Sequence, residues 1–335
     1  MTETDADGKR RERRRSMVRA LLLATAAIGV PAAINRLVQS RASNLPDATW
    51  GSRDVYRWRH GDIAFQQLGE GPPVVLVHSF GPGNSAAEWR RVAEELDSGF
   101  EVFAPDLLGW GRSDKPRTAY DAQLYVLLLR DFLRQVVQRP AVLVAAGLPA
   151  AYAAQLAADH PELVSLLGLV TPEGLGVHDR RPALADRLLH RALRTPVLGT
   201  AALNLATSRA AIANALRDEV YASSRLVDQD LVELHYTHAH RPRAHLALSA
   251  YWAGLLDLDV RRALDAVRQP VWLAWGRRAG VPAIEAADLW LRRLDEAELE
   301  VFEQTALVPH AESPGELARR LERWILDRLP PSHQS

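Results

Sequence analysis

Cysteine is absent from all 335 residues, and methionine occurs only twice. Without thiols there can be no disulfide, no thiolate zinc site, no iron–sulfur cluster and no cysteine nucleophile. The redox compartment is left open, because a chain without thiols works in any of them. An excess of one charge is lacking too: 41 Lys and Arg balance 41 Asp and Glu. A nucleic-acid partner recognised through bulk positive charge is therefore not expected. Internal repeats and low-complexity segments are also missing beyond the N-terminus. What is present is 47% hydrophobic residues, enough for a large core. The length suits two domains or one α/β domain with an inserted cap.

Charge is uneven in one place. Residues 1–19 carry Lys9, Arg10, Arg11, Arg13, Arg14, Arg15 and Arg19 against four acidic residues, and an apolar run from Ala20 to Ile34 follows. This run is short of the about 20 apolar residues of a membrane helix and at the upper edge of a signal-peptide core. Arg14-Arg15 has a twin-arginine look, and Ser40-Arg41-Ala42 is a weak cleavage site. We expect residues 1–43 to direct the protein to a membrane as an uncleaved anchor with its basic end cytoplasmic. Export with cleavage and a soluble amphipathic arm are the alternatives.

From Asp54 the pattern becomes regular. Strands are expected at Asp54–Arg59 and Asp62–Leu68 around the His60-Gly61 turn, and at Pro73–His78, Phe100–Pro105, Ala141–Ala145 and Val164–Val170. Between them Ala86–Leu96, Asp121–Val137 and Leu148–His160 read as helices, the second with Leu124, Leu128, Phe132 and Val136 on one stripe. Val271–Trp275, Ile284–Leu291, Leu299–Glu303 and Pro314–Leu329 continue the alternation. Such alternation implies a mostly parallel, doubly wound α/β sheet with both faces covered. It stops between Thr171 and Pro270, where several helices are expected, among them Pro182–Arg194, Ser208–Tyr221 and Asp228–Ala239, and no strand. The expected division is a core in two halves, 44–170 and 271–329, a helical cap at 171–270, and a frayed tail at 330–335.

Five motifs in order over residues 54–329 give the chain its resemblance to the α/β-hydrolase superfamily. Val74–Gly81 (VVLVHSFG) resembles the family's strand followed by His-Gly-x-Gly. Ala104–Pro116 (APDLLGWGRSDKP) resembles its Asp-x-x-Gly-x-Gly-x-Ser block. Val142–Pro161 stands where the nucleophile turn and its helix belong, Trp275-Gly276 closes a strand as in the family, and Pro309–Pro314 resembles the segment after its histidine.

The resemblance also implies a Ser-His-Asp triad, and here the chain departs. The turn Ala145-Ala146-Gly147-Leu148-Pro149 puts Gly147 at the nucleophile position, where glycine adopts the strained backbone freely. The acid position falls on Ala279 and the histidine position on Leu307. None of the three carries a reactive group. The resemblance still implies oxyanion-type N–H donors at Phe80 and Leu148, with Ser79 beside them. Leu148 opens a helix, whose partial positive charge favours carbonyl or anionic oxygens.

Other polar residues have two readings each. His78 reads as a structural histidine or a weak catalytic candidate, and Asp106 as the organiser of its own loop with Arg112 and Ser113. His310 makes a structural hydrogen bond or serves as a swung-in base. Glu173 is a solvated loop carboxylate or a relocated acid. His235, His238, His240 and His245 are dense, but Arg241 and Arg243 argue against a metal there, and no cofactor is expected. Arg277-Arg278 reads as a solvated loop over the mouth of the site. Two functions follow: a membrane-anchored protein that binds an apolar carbonyl-bearing ligand or a partner, or an unorthodox hydrolase using His310 or His78 with Glu173.

Overall fold

The computed structural model describes residues 50–329 other than Pro196, with scattered positions between 33 and 40. Most of the basic and apolar N-terminal segment and the tail at 330–335 lie outside the described residues. Among the described residues no helix is long and apolar enough to cross a membrane.

An eight-stranded sheet forms the centre, in the order β1-β2-β4-β3-β5-β6-β7-β8. Strands β1 (Ser52–Trp58) and β2 (Gly61–Leu68) form the expected antiparallel hairpin, and β2 pairs antiparallel with β4 (Glu101–Pro105). Strands β3 (Pro73–Val77), β5 (Ala141–Ala146), β6 (Val164–Val170), β7 (Val271–Gly276) and β8 (Ala297–Phe302) are parallel to β4 and to one another. Every residue of β3 and β5 is buried, as the unbroken apolar runs require of strands covered on both faces.

Helices α1 (Arg90–Leu96), α2 (Ala122–Phe132), α3 (Leu148–Asp159), α10 (Ala287–Leu291) and α12 (Pro314–Leu326) cover the sheet, while α11 (Pro309–Glu312) is a single turn. Asp121 caps α2 by accepting the Leu124 N–H at 2.8 Å. The segment expected as one helix from Ala86 is a 3-10 turn at Ala86–Trp89 followed by α1. The turn is anchored by Asp106, whose Oδ1 accepts the Ala86 N–H at 2.8 Å.

Between β6 and β7 the described chain is helical, as expected: α4 (Leu184–Leu193), α5 (Leu198–Ala206), α6 (Arg209–Ala215), α7 (Gln229–Ala239), α8 (His245–Trp252) and α9 (Arg261–Leu264). Helix α6 runs into a wider turn at Leu216–Val220. The cap packs around Ile212, Leu216, Val227 and Val232. It docks on the loop after β3 at Gly83, where φ is +80° and a Cβ would collide with the backbone of His235 in α7. Only glycine lets helix and loop approach so closely.

Candidate active site

A cavity of about 590 Å³ opens between the C-terminal ends of the strands and the cap. Its floor is Ser79–Ser85 after β3, Gly147 after β5, Thr171 and Glu173 after β6, and Leu307-Val308 after β8. Ile212, Leu216, Val220, Leu231 and Leu234 of the cap form an apolar wall. Ligands of open α/β sheets bind at this end of the strands.

Gly147 stands at the turn from β5 to α3 with φ 62° and ψ −136°, a backbone region that side chains rarely tolerate. A Cβ there would lie 3.3 Å from both Glu173 Oε1 and Ser79 Cβ. Pro149 is in the first turn of α3, where a missing N–H is harmless. Ala279 is buried in the turn after β7 but does not line the cavity. Leu307 does line it, with its N–H given to Val220 O at 3.1 Å. The N–H groups of Phe80 and Leu148 donate to no other group among the described residues. Phe80 is fixed by stacking on Trp110, centroids 4.6 Å apart.

His78 has no freedom to act as a base. It is fully buried, its Nε2 accepts the Leu107 N–H at 2.9 Å, and its Nδ1 then donates to Ser79 O at 2.7 Å. Both ring nitrogens hold backbone, so the catalytic reading of His78 is corrected to a structural one. Asp106 does organise its loop: Oδ2 accepts the Arg112 N–H at 2.8 Å, and Ser113 Oγ donates to its carbonyl at 2.5 Å.

Two Glu–His pairs border the cavity, and they differ in kind. In the first, Glu88 accepts the Ser79 N–H at 2.6 Å, Ser79 Oγ at 2.9 Å and Asn84 Nδ2 at 3.2 Å, with His310 Nε2 at 3.2 Å. Burial pushes the Glu88 carboxyl up, but the His310 hydrogen bond and the neighbouring imidazoles outweigh it and hold it below the ordinary 4.5. Its hydrogen-bonding capacity is filled. The Ser79 hydroxyl is committed with it, taking a hydrogen bond from Asn84 at 2.7 Å.

In the second pair, neither oxygen of Glu173 accepts a hydrogen bond among the described residues, and Oε2 is completely covered. His178 Nε2 approaches Oε2 to 3.5 Å, while His178 Nδ1 lies 2.7 Å from Asp257 Oδ1. The His178 ring also stacks on Tyr251. Burial pushes Glu173 up to about 7, with Asp257 adding to the rise and His178 opposing it. The Asp257 hydrogen bond raises the His178 imidazole in turn, against burial. Glu173 is thus a cavity carboxylate with its side chain 16% exposed and Oε2 covered, and not a solvated one. The pairing expected of it is corrected: its histidine is His178, whereas His310 belongs to Glu88.

Glu88, Asn84, His178 and Asp257 escaped the sequence reading. Glu88 and His310 are 222 positions apart and His178 and Asp257 are 79 apart, so no local spacing marks either pair. Among the cap histidines, His235 Nδ1 meets Pro82 O at 2.9 Å and His240 Nδ1 meets Tyr236 O at 2.8 Å. No group of three or more metal-ligating side chains occurs among the described residues. Arg277 and Arg278 turn away from the cavity to Glu303 and Gln304, so they do not lie over its mouth.

A family description, alpha/beta hydrolase fold, matches residues 72–305. The chain is 26% identical over 282 residues to an uncharacterised protein of Mycobacterium tuberculosis, covering 82% of this chain and 80% of that one. It is 25% identical over 264 residues to a pimeloyl-[acyl-carrier protein] methyl ester esterase of Vibrio vulnificus, covering 78% and 96%. Among solved structures, a serine hydrolase involved in carbazole degradation superposes with a TM-score of 0.69 at 20% identity, over 83% of this chain and 99% of that one.

Proposed function

The chain belongs to the alpha/beta hydrolase fold family, and from that premise we propose that it binds an apolar, carbonyl-bearing ligand without seryl acyl-enzyme chemistry. In this reading the nucleophile, acid and histidine positions are Gly147, Ala279 and Leu307. The observation that carries it is Gly147 itself. It occupies the strained turn between β5 and α3, on the cavity wall, with no side chain to attack a carbonyl.

The binding half of the site supports the same reading. The unspent N–H groups of Phe80 and Leu148 flank this turn and suit a carbonyl oxygen. The apolar cap wall suits an acyl or alkyl chain. The esterases and hydrolases among the relatives are consistent with an ester-like ligand. Two measurements test the reading. A fluorophosphonate should fail to label the protein covalently, and 2-undecanone, an apolar ketone, should bind in calorimetry. Stoichiometric labelling or the absence of ketone binding would overturn it.

We also propose that residues 1–43 hold the protein at a membrane, with the basic end cytoplasmic. The apolar run after the arginine cluster supports this. Full-length protein should sediment with membranes and stay there in high salt. Recovery wholly in the soluble fraction at full size would overturn the proposal.

A further inference from the structure

We propose that Glu173, held by His178 and Asp257, is a general base that drives water onto the carbonyl carbon of an ester bound in the cavity. The pocket would then hydrolyse esters of apolar acids with no covalent intermediate. This inference rests on the carbonyl-binding reading above and adds a reaction to it.

The geometry starts from the missing side chain. Glu173 Oε1 lies 3.3 Å from the point a Cβ on Gly147 would occupy, so the carboxylate borders the space where a nucleophilic hydroxyl would stand. Removing that hydroxymethyl group leaves room on the scale of one water molecule. The backbone fixes the pair as well, since the Glu173 N–H donates to Gly147 O at 3.2 Å. Behind the carboxylate stands a built support. His178 is 3.5 Å from Glu173 Oε2 and 2.7 Å from Asp257 Oδ1, and its ring lies on Tyr251. Asp257 is buried, and Tyr152 Oη anchors its neighbour Leu256 by donating to that carbonyl at 2.6 Å. Oε1 of Glu173, on the side of Gly147, accepts no hydrogen bond and is left for an incoming proton, unlike Glu88, whose oxygens are both committed.

The step balances without a cofactor. Glu173 removes one proton from water as the water oxygen bonds to the carbonyl carbon. The C=O electron pair moves to the carbonyl oxygen, which accepts from the N–H groups of Phe80 and Leu148. As the pair returns, the bond from carbon to the ester oxygen breaks. Glu173 gives its proton to the departing alkoxide, and acid and alcohol leave with the carboxylate restored. His178 and Asp257 are positioning residues. The groups facing Glu173 are His178, Asp257, Tyr152 and Tyr251, with Arg180 behind Asp257.

The test uses full-length protein, p-nitrophenyl hexanoate and the variants Glu173→Gln, Glu173→Asp and His178→Gln. Wild type should release nitrophenolate faster than buffer and linearly from the first turnover. Glu173→Gln should lower kcat about 100-fold or more, with KM within about twofold. Should that variant fail to fold, Glu173→Asp, which retracts the carboxylate, should show the loss instead. His178→Gln removes a cation that lowers the Glu173 pKa, so the acid limb of the kcat/KM profile should move to higher pH. Packing alone would leave that limb in place. A rate in both folded Glu173 variants within about threefold of wild type would overturn the inference. So would ketone binding without ester turnover, which leaves the binding reading standing. A burst with fluorophosphonate labelling would overturn both.

Discussion

His310 Nε2 lies 3.2 Å from Glu88 Oε1, and the His310 ring stacks on Trp89 with centroids 4.2 Å apart. The pair joins the short helix after β8 to the turn after β3, two segments of the cavity floor. Its Glu88 member also holds the Ser79 N–H and hydroxyl. The pair fixes backbone through Glu88, and with His310 Nε2 on that carboxylate and Nδ1 completely covered, the histidine is not poised to accept a substrate proton.

The sign of its pH dependence follows from Glu88. Burial alone would raise this carboxyl, but the His310 hydrogen bond and nearby charges bring it below 4.5. A depressed folded-state pKa contributes stability above the unfolded value, lost as pH falls through the folded one. His310→Gln should therefore lower unfolding free energy at pH 7 by about 1.5–3 kcal/mol, the scale of one hydrogen bond to a buried charged group whose other donors remain. The difference from wild type should shrink below about pH 4, where Glu88 is protonated in the unfolded chain. Denaturant unfolding at both pH values checks this, and a loss under about 0.5 kcal/mol at pH 7 contradicts it.

Glu173 has the opposite sign. Burial lifts it to about 7, so the native state keeps a proton that the unfolded chain gives up near 4.5. Stability should then fall as pH rises between those values. Glu173→Gln should be more stable than wild type at pH 8 by on the order of 3 kcal/mol, from about 1.4 kcal/mol per pKa unit. At pH 4 the two should match. The substitution that removes the proposed base thus strengthens the fold, which is the pattern expected of a carboxylate kept in a costly place for its chemistry. Equal stability at pH 8 would mean that Glu173 ionises as it does in solution.

The strands were legible because their signals are local. Pro73–Val77 and Ala141–Ala146 are unbroken apolar runs, and a run buried on both faces can pack only inside such a sheet. Helix α7 is announced by Asp228, which caps it by accepting the Leu231 N–H at 2.8 Å. Helix α5, Leu198–Ala206, carries no such signal: its N-cap Val197 offers no side-chain acceptor and it includes Gly199, so tertiary packing decides it. The site divides the same way. Gly147 and Glu173 could be singled out because motifs or strand ends flank them. His178 comes from the loop before α4 and Asp257 from the loop between α8 and α9, and only the folded cap brings them together.

Tyr152 ties the core to that cap. Its hydroxyl donates to Leu256 O at 2.6 Å across 104 positions, in a buried setting. Its ring lies parallel to Tyr125 at 5.6 Å. Tyr152→Phe keeps the stacking and leaves the carbonyl without its donor, at about 1–3 kcal/mol. The loosened segment carries Asp257, so hydrogen exchange at residues 254–258 should quicken while the sheet stays protected. Unchanged exchange in that segment would show that Leu256 is held by packing alone.

The triad reading is tested at its base by repair. Gly147→Ser puts a Cβ into a backbone with φ 62°, 3.3 Å from Glu173 Oε1 and Ser79 Cβ. The strain should cost about 1–3 kcal/mol. The hydroxyl should gain no acyl-enzyme chemistry, because both ring nitrogens of His78 hold backbone, and His310 has Nε2 on Glu88 and Nδ1 completely covered. A serine with no histidine to take its proton stays a poor nucleophile, and its side chain fills the water site beside Glu173. The triple variant Gly147→Ser, Ala279→Asp, Leu307→His should do better than any single change, since triad members act as a unit. It should still fall well short of an efficient enzyme. The Leu307 N–H is already tied to Val220, and Ala279 is off the cavity wall, while a misplacement of about 1 Å can cost roughly 100-fold. Melting temperature and fluorophosphonate labelling of the single and triple variants, side by side, decide the matter. Rapid labelling of the Gly147→Ser protein that is lost with His310→Gln would mean that His310 had remained a working base, and that only the nucleophile had been given up.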